Sequence, residues 1–271
     1  MLFRSTLAGL LGTALLASSP VGVNAAVVLA STTSMQDSGL LERILPVFTG
    51  ATGIEVRVIA QGTGQALATA ARGDADLVLV HDPAAEAAFM AAGHGVSRTE
   101  IAWNDFIIVG PQSDPAQVAG LAGASEAFQA IAAAGAPFVS RGDKSGTDAA
   151  EHRLWAAAGI APAGGWYRDI GGGMGAALNA ASAMGAYTLS DRGTWLSYGN
   201  KAGMAIVLQG DRRLLNLYDV IELDPRVHPQ VHQAEANRLA EWLASPEGQD
   251  AISGYTKGGE RLFHPEADRK P

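Results

Sequence analysis

Among its 271 residues the chain has no cysteine. Disulfide staples, a Cys/His metal cluster and an N-terminal lipid-anchored Cys are therefore excluded, and a fold of this length has to rest on its apolar core. Basic residues are also scarce, 19 Lys and Arg against 27 Asp and Glu, a formal net charge of −8. No basic stripe offers the counterion release that nucleic acid or an acidic membrane would reward, so neither is an expected partner. An acidic chain can still bind an anion, but only through a local site. Beyond residue 25 no apolar run reaches the ~20 residues of a membrane helix. Tandem repeats, charge runs and long disordered linkers are missing as well.

The first 25 residues, "MLFRSTLAGLLGTALLASSPVGVNA", carry Arg4 near the start, an apolar middle from Leu7 to Ala17 and the small-residue end Val23-Asn24-Ala25. That is the pattern of a secretory leader (residues 1–25), so the mature chain is expected to begin at residue 26 and to be a soluble protein of the bacterial periplasm.

From there, strand-length apolar runs alternate with Ala- and Leu-rich stretches of helical period. "AVVLA", "IEVRVIA" and "DLVLV" are separated by helices expected near 38–49 and 64–73, with another near 84–92. In 38–48, Leu40, Leu41, Ile44, Leu45 and Phe48 recur at helical spacing, and Gly53 supplies a stop. Such alternation predicts an α/β fold with largely parallel sheets. After the long strand 100–111 the pattern restarts, with helices near 124–134, 147–158 and 174–184 and short strands at 137–141 and near 190. "MAIVLQGD", "LLNLYDVIEL" and a helix near 230–244 then return to the first set. The expected organisation is one lobe from 26–109 and 215–271, a second from 110–214, and a ligand between them, where interdomain clefts and strand C-termini usually hold one.

Three strand-to-helix turns are rich in hydroxyls and glycine: "STTSMQDSG" (31–39), "QGTGQA" (61–66) and "SRGDKSGT" (140–147). Helix N-termini expose unpaired N–H groups and a positive dipole end, Ser and Thr add O–H donors, and Gly62 and Gly64 let the backbone approach a ligand. Each turn taken alone is also an ordinary cap. Arg141, at the end of a short strand, can place paired N–H donors into the cleft or make a plain interlobe salt bridge.

These stretches, with "LSDRGTWL" (189–196) and "LLNLYDVIELDP" (214–225), resemble the signatures of TupA-type periplasmic tungstate-binding proteins, the solute receptors of ABC importers. The resemblance spans nearly the whole mature chain. It implies a type II periplasmic-binding fold, two α/β lobes closing on a tetrahedral oxyanion. Its hydroxyl motif falls on Ser31, Thr32, Thr33 and Ser34 and its basic ligand on Arg141. Ser31 stands where the family often has Thr, and Asp148 where a His is expected.

Tungstate and molybdate are fully deprotonated dianions, so their site needs donors and no ionised carboxylate in contact. The expected ligand-binding residues are Thr32, Thr33, Ser34 and Thr63 from the first lobe and Arg141, Ser145 and Thr147 from the second. Asp37 and Asp143 are read as caps or as partners orienting Arg141. The reading is a monomeric receptor for tungstate, or molybdate, that serves an ABC permease and needs no cofactor or metal. A phosphate or sulfate receptor is the alternative, because hydrogenphosphate keeps a proton that a carboxylate could accept. A periplasmic hydrolase is a weaker rival: "KSG" (144–146) has no S-x-x-K partner, and G-x-S-x-G is missing. His228 and His232 read as a solvated pair, Asp191 and Arg192 first as an ion pair near the hinge and second as support for the ligand, and "GGGMG" (171–175) as a helix opening toward the cleft or a flexible turn.

Overall fold

The computed structural model describes residues 26–201, 203–265 and 268. The leader expected at 1–25 lies outside the described residues. In chain order the elements are β1 (Val27–Thr32), α1 (Thr33–Ser38), α2 (Leu40–Thr52), β2 (Val56–Gln61), α3 (Thr63–Ala71), β3 (Leu77–Val80), α4 (Pro83–Ala91) and β4 (Gly95–Pro111). They continue with α5 (Ala124–Ala134), β5 (Phe138–Ser140), α6 (Gly146–Ala157), β6 (Tyr167–Asp169), α7 (Met174–Met184), β7 (Thr188–Asp191), α8 (Arg192–Ser197) and β8 (Met204–Leu208). After a short 3-10 turn come β9 (Leu215–Leu223), α9 (Gln233–Ala244), α10 (Pro246–Ser253), β10 (Thr256–Lys257) and β11 (Glu260–Arg261).

The main sheet has the order β2-β1-β3-β9-β4-β7, with β8 also on β4. Period-two alternation decides which side chain goes to which layer. On β1 and β3, Val27, Leu29, Leu77 and Leu79 enter the cluster under α2, α9 and α10, while Ala30, Val78 and Val80 enter the one under α3 and α4. The apolar stripe of α2 is buried as its spacing predicts, and Gly53 ends the helix in the left-handed conformation at φ 72°. Pro46 is tolerated inside α2 because it sits on the water-facing side, where the carbonyl it leaves unbonded can be hydrated.

β4 is shared by two cores. Its residues 95–105 pair with β9, and 106–111 pair with β7 and β8. Phe106 and Ile108 pack beside α5 and α6, Ile107 and Val109 beside α7. Packing therefore changes hands between Asp105 and Phe106, so residues 106–109 place their side chains in the second set of clusters.

The expectation of largely parallel sheets needs correcting. β1, β2 and β3 are parallel, as are β5 and β6, but β9 is antiparallel to β3 and β4, and β4 to β7 and β8. The cause is the chain path. β4 leaves the first half for the second and β9 returns from it, so the two crossing strands run in opposite directions. The helix expected at 230–244 begins at Gln233 and is followed by a separate α10, because Ser245 caps and Pro246 opens a new helix.

Candidate functional site

Since β1, β2 and β3 are parallel, their C-terminal ends share one edge, and the turns that follow them meet the turn after β5. Thr32 ends β1 and caps α1, its Oγ1 accepting the Met35 N–H at 3.1 Å. That bond leaves the Thr32 O–H free to donate. Ser34 is buried on the next turn, and Thr33 is half-buried at a cavity wall. Ser31 is spent on the sheet, its hydroxyl donating to the Leu79 carbonyl at 2.9 Å. Thr63 opens α3 and is 2% exposed, and its Oγ1 has no hydrogen-bond partner among the described residues.

From the other half comes Arg141, 2% exposed. Asp143 holds one side of its guanidinium, at 2.6 Å from Nη2 and 3.2 Å from Nε. Nη1 lies between the two halves, 3.4 Å from Ser34 Oγ and 3.3 Å from Thr147 Oγ1. These last contacts are at the long end of the N–H···O range, so the guanidinium is gripped on its Asp143 side and only loosely engaged toward the hydroxyls.

The turn carrying Arg141 is pinned by carboxylates. Asp148 accepts from the Gly142 N–H (3.1 Å) and the Lys144 N–H (3.2 Å), and Asp143 Oδ1 accepts from the Ser145 N–H (3.1 Å). Both Gly142 and Lys144 have φ of 59°; a non-glycine residue there costs strain that the two carboxylates hold in place. Asp148, standing where the resemblance expects His, thus shapes the turn. Ser145 caps α6, its Oγ accepting the Asp148 N–H at 3.3 Å.

A cavity of about 570 Å³ opens above these groups, lined from one side by Thr33, Asp37, Gly62, Gly64 and Gln65 and from the other by Asp143, Lys144 and Gly173. Two helices begin at its wall without a side-chain cap: α3 after Gly62 and α7 after Gly173. Their first-turn N–H groups are donors of the kind that suit an anion. A Cβ at position 62 would stand 3.9 Å from the Asp143 and Lys144 carbonyl oxygens, ordinary van der Waals contact, so the two halves approach closely here. Desolvation raises the Asp37 carboxyl above its ordinary range and Arg141 draws it back down. Asp191 is fully buried and likewise raised by desolvation, opposed by bonds from the Thr194 N–H and O–H.

All seven residues expected to bind the ligand therefore lie along one seam, with Thr33 at the cavity wall and the other six buried. Two pairings from the sequence do not form. Asp191 caps α8 while Arg192 binds Asp105 at 2.7 and 2.6 Å. Nor do His228 and His232 pair: buried His228 meets His94 at 3.2 Å, and half-exposed His232 meets Asp76. Three residues at or behind the seam were missed. His81, next after β3, is 1% exposed, and behind it Asn216 and Tyr218 of β9 are buried. "HDP" directly after "DLVLV" was a usable signal, since a third parallel strand has to end at the same edge as the first two.

Comparison with known proteins agrees with this geometry. The model of the PBP superfamily domain matches residues 19–247. The tungstate-binding protein TupA of Peptoclostridium acidaminophilum is 43% identical over 248 residues, covering 89% of this chain and 86% of its own. Among solved structures, the tungstate-binding protein TupA from Desulfovibrio alaskensis G20 is 41% identical with a TM-score of 0.79, over 89% of this chain and 98% of that one. The tungstate ABC transporter protein from Geobacter sulfurreducens is 44% identical with a TM-score of 0.78, over 84% and 98%. The fold, the seam and these likenesses together place the chain in the periplasmic-binding-protein superfamily and, within it, in the TupA family of tungstate-binding proteins.

Proposed function

We propose that this protein is the receptor of an ABC importer, capturing tungstate between its two halves and presenting the closed form to a membrane permease. The observation that carries the reading is Arg141, a buried cation whose Nη1 stands between a hydroxyl from each half. An oxyanion placed there draws both halves together, and closure is the signal a permease can read. Thr32, Thr33, Ser34 and Thr63 supply neutral donors from one side; Arg141, Ser145 and Thr147 supply charge and donors from the other. Hydrogen bonds from such groups to a desolvated dianion contribute roughly 1.5–3 kcal/mol each.

Asp143 supports tungstate over phosphate. Both of its oxygens are committed, one to Arg141 and one to the Ser145 N–H, so it has little left to accept a proton from hydrogenphosphate. No covalent chemistry belongs to this reading: Ser34 and Thr147 face a guanidinium, which stays protonated and cannot serve as their base. The receptor works as a monomer, needs no cofactor, and reaches the periplasm through the leader-like residues 1–25. No described helix is long and apolar enough to cross a membrane.

The test is isothermal titration of residues 26–271 with tungstate, molybdate, sulfate and phosphate, beside Arg141→Ala. Tight tungstate binding that the variant loses supports receptor and site together. Binding of phosphate alone would bring Asp37 or Asp143 into contact with the ligand and overturn the choice of anion.

A further inference from the structure

One buried polar atom beside the seam has no task in the reading above: Nε2 of His81. His81 follows β3 directly, two residues after Leu79, which lies opposite Ser31 of β1. Its ring packs on the first turn of α6 in the other half. A Cβ on Gly146 would stand 2.6 Å from its Cε1, 2.8 Å from Nδ1 and 3.1 Å from Nε2.

The tautomer follows from the groups behind the ring. Nδ1 lies 2.9 Å from Asn216 Oδ1. The Asn216 amide nitrogen donates to Asn104 Oδ1 at 2.8 Å and to the Tyr218 hydroxyl at 2.7 Å, so its carbonyl faces His81 and Nδ1 carries the proton. In a neutral ring Nε2 is then a bare lone pair, buried and without a partner among the described residues. A lone pair repels a fully deprotonated dianion. The same nitrogen, once protonated, is a charged donor.

We infer that His81 is a further ligand-binding residue of this site, which takes up one proton from solvent at Nε2 as the oxyanion binds and donates that N–H to it. The inference rests on the oxyanion-receptor reading. The groups facing His81 fit such a switch. Asp82 follows it, and Arg153 of α6 lies 3.3 Å from Asp82; Arg141 faces it from the loop after β5; Asn216 and the Tyr218 ring, 4.9 Å between centroids, face it from β9. In the free protein, burial pushes the imidazole down to about 4. Arg141 and Arg153 also push down, while the Asn216 bond and Asp82 pull up. A dianion in contact offsets the two arginine charges and favours the imidazolium. The imidazole pKa is then higher in the complex than in the free protein, so binding consumes a proton and tightens as pH falls.

Titration calorimetry with tungstate, run in buffers of different ionisation enthalpy, reads the proton count directly. About one proton taken up per tungstate is expected at pH 6, with affinity falling about tenfold per pH unit above the imidazole's value in the complex. In parallel, ¹⁵N NMR of the wild-type histidines should show His81 passing from the Nδ1–H form to the doubly protonated form when tungstate is added. His81→Gln should bind more weakly and take up no proton; should that variant not fold, the wild-type NMR decides alone. Tungstate binding with no uptake, or uptake with unchanged His81 resonances, overturns this inference and leaves the receptor reading standing. If tungstate does not bind, both fall.

Discussion

The two halves contribute to the seam in different ways. In the ligand-free protein the first contributes neutral groups, hydroxyls and an imidazole, placed by the ends of three parallel strands and held by the sheet itself. The second contributes the charge, on a turn after a three-residue strand that two carboxylates have to pin. Neutral donors need little besides backbone to hold them. A buried guanidinium needs a counter-charge, which Asp143 supplies two residues on, while Asp148 holds the turn through the Gly142 and Lys144 N–H groups.

The sharpest way to break that contrast is to remove the charge. Arg141→Ala should lower tungstate affinity by at least about a hundredfold, ~3 kcal/mol at 1.4 kcal/mol per tenfold, as titration calorimetry would read. A loss of under tenfold would mean that the neutral half suffices.

Gly146→Ala attacks the fit between the halves instead. Gly146 is helical and not left-handed, so alanine should not weaken α6 and can add up to about 1 kcal/mol of helix propensity. Its methyl would still strike the buried His81 ring. Affinity should fall about tenfold, and the tungstate-loaded variant should show a larger radius of gyration by solution scattering than the loaded wild type.

Within the neutral half, Thr63→Val and Ser31→Ala should behave oppositely. Valine at 63 deletes a hydroxyl without a partner among the described residues, so affinity should drop several-fold while thermal stability holds or rises. Alanine at 31 deletes a bonded one, costing about 1 kcal/mol of stability with affinity unchanged. Equal effects from the two would show that the hydroxyl run acts as a whole.

A last contrast lies in pH dependence. His81 has a depressed pKa in the folded protein, about 4 against an ordinary 6.5, so the unfolded chain binds the proton more readily. Its contribution to stability is complete above about pH 6.5 and is lost as pH falls through about 4. Melting temperatures of the ligand-free protein between pH 7 and 4 should decline for the wild type and flatten for His81→Gln, whereas tungstate should reverse the trend of the wild type.

The helical stripe of α2, the stop at Gly53 and the bounds of α5 and α7 were legible because spacing and glycine act locally. The hydroxyl turns were legible for the same reason, since a cap is a matter of three or four consecutive residues. Strand direction was not: whether β9 lies parallel or antiparallel depends on which half the chain is returning from. The partner of Arg192 was equally hidden, because Asp105 is remote in sequence and adjacent Asp191 was the nearer guess. His81 looked like any residue before a helix-opening Asp-Pro, and its isolation arises only where Asn216 from β9 and Gly146 from α6 meet around it.

By itself the sequence determined most of the helices and strands, which residue types the turns present, and that a site built from them would hold hydrogen-bond donors suited to an oxyanion. Only the tertiary structure decided which of those donors remain free. Ser31 is consumed by the neighbouring strand, Thr63 Oγ1 and His81 Nε2 are left without partners among the described residues, and Arg141 is gripped on one side. Caps and periodicities are interactions between near neighbours along the chain, whereas the satisfaction of a buried polar group depends on whatever distant segment folding brings against it.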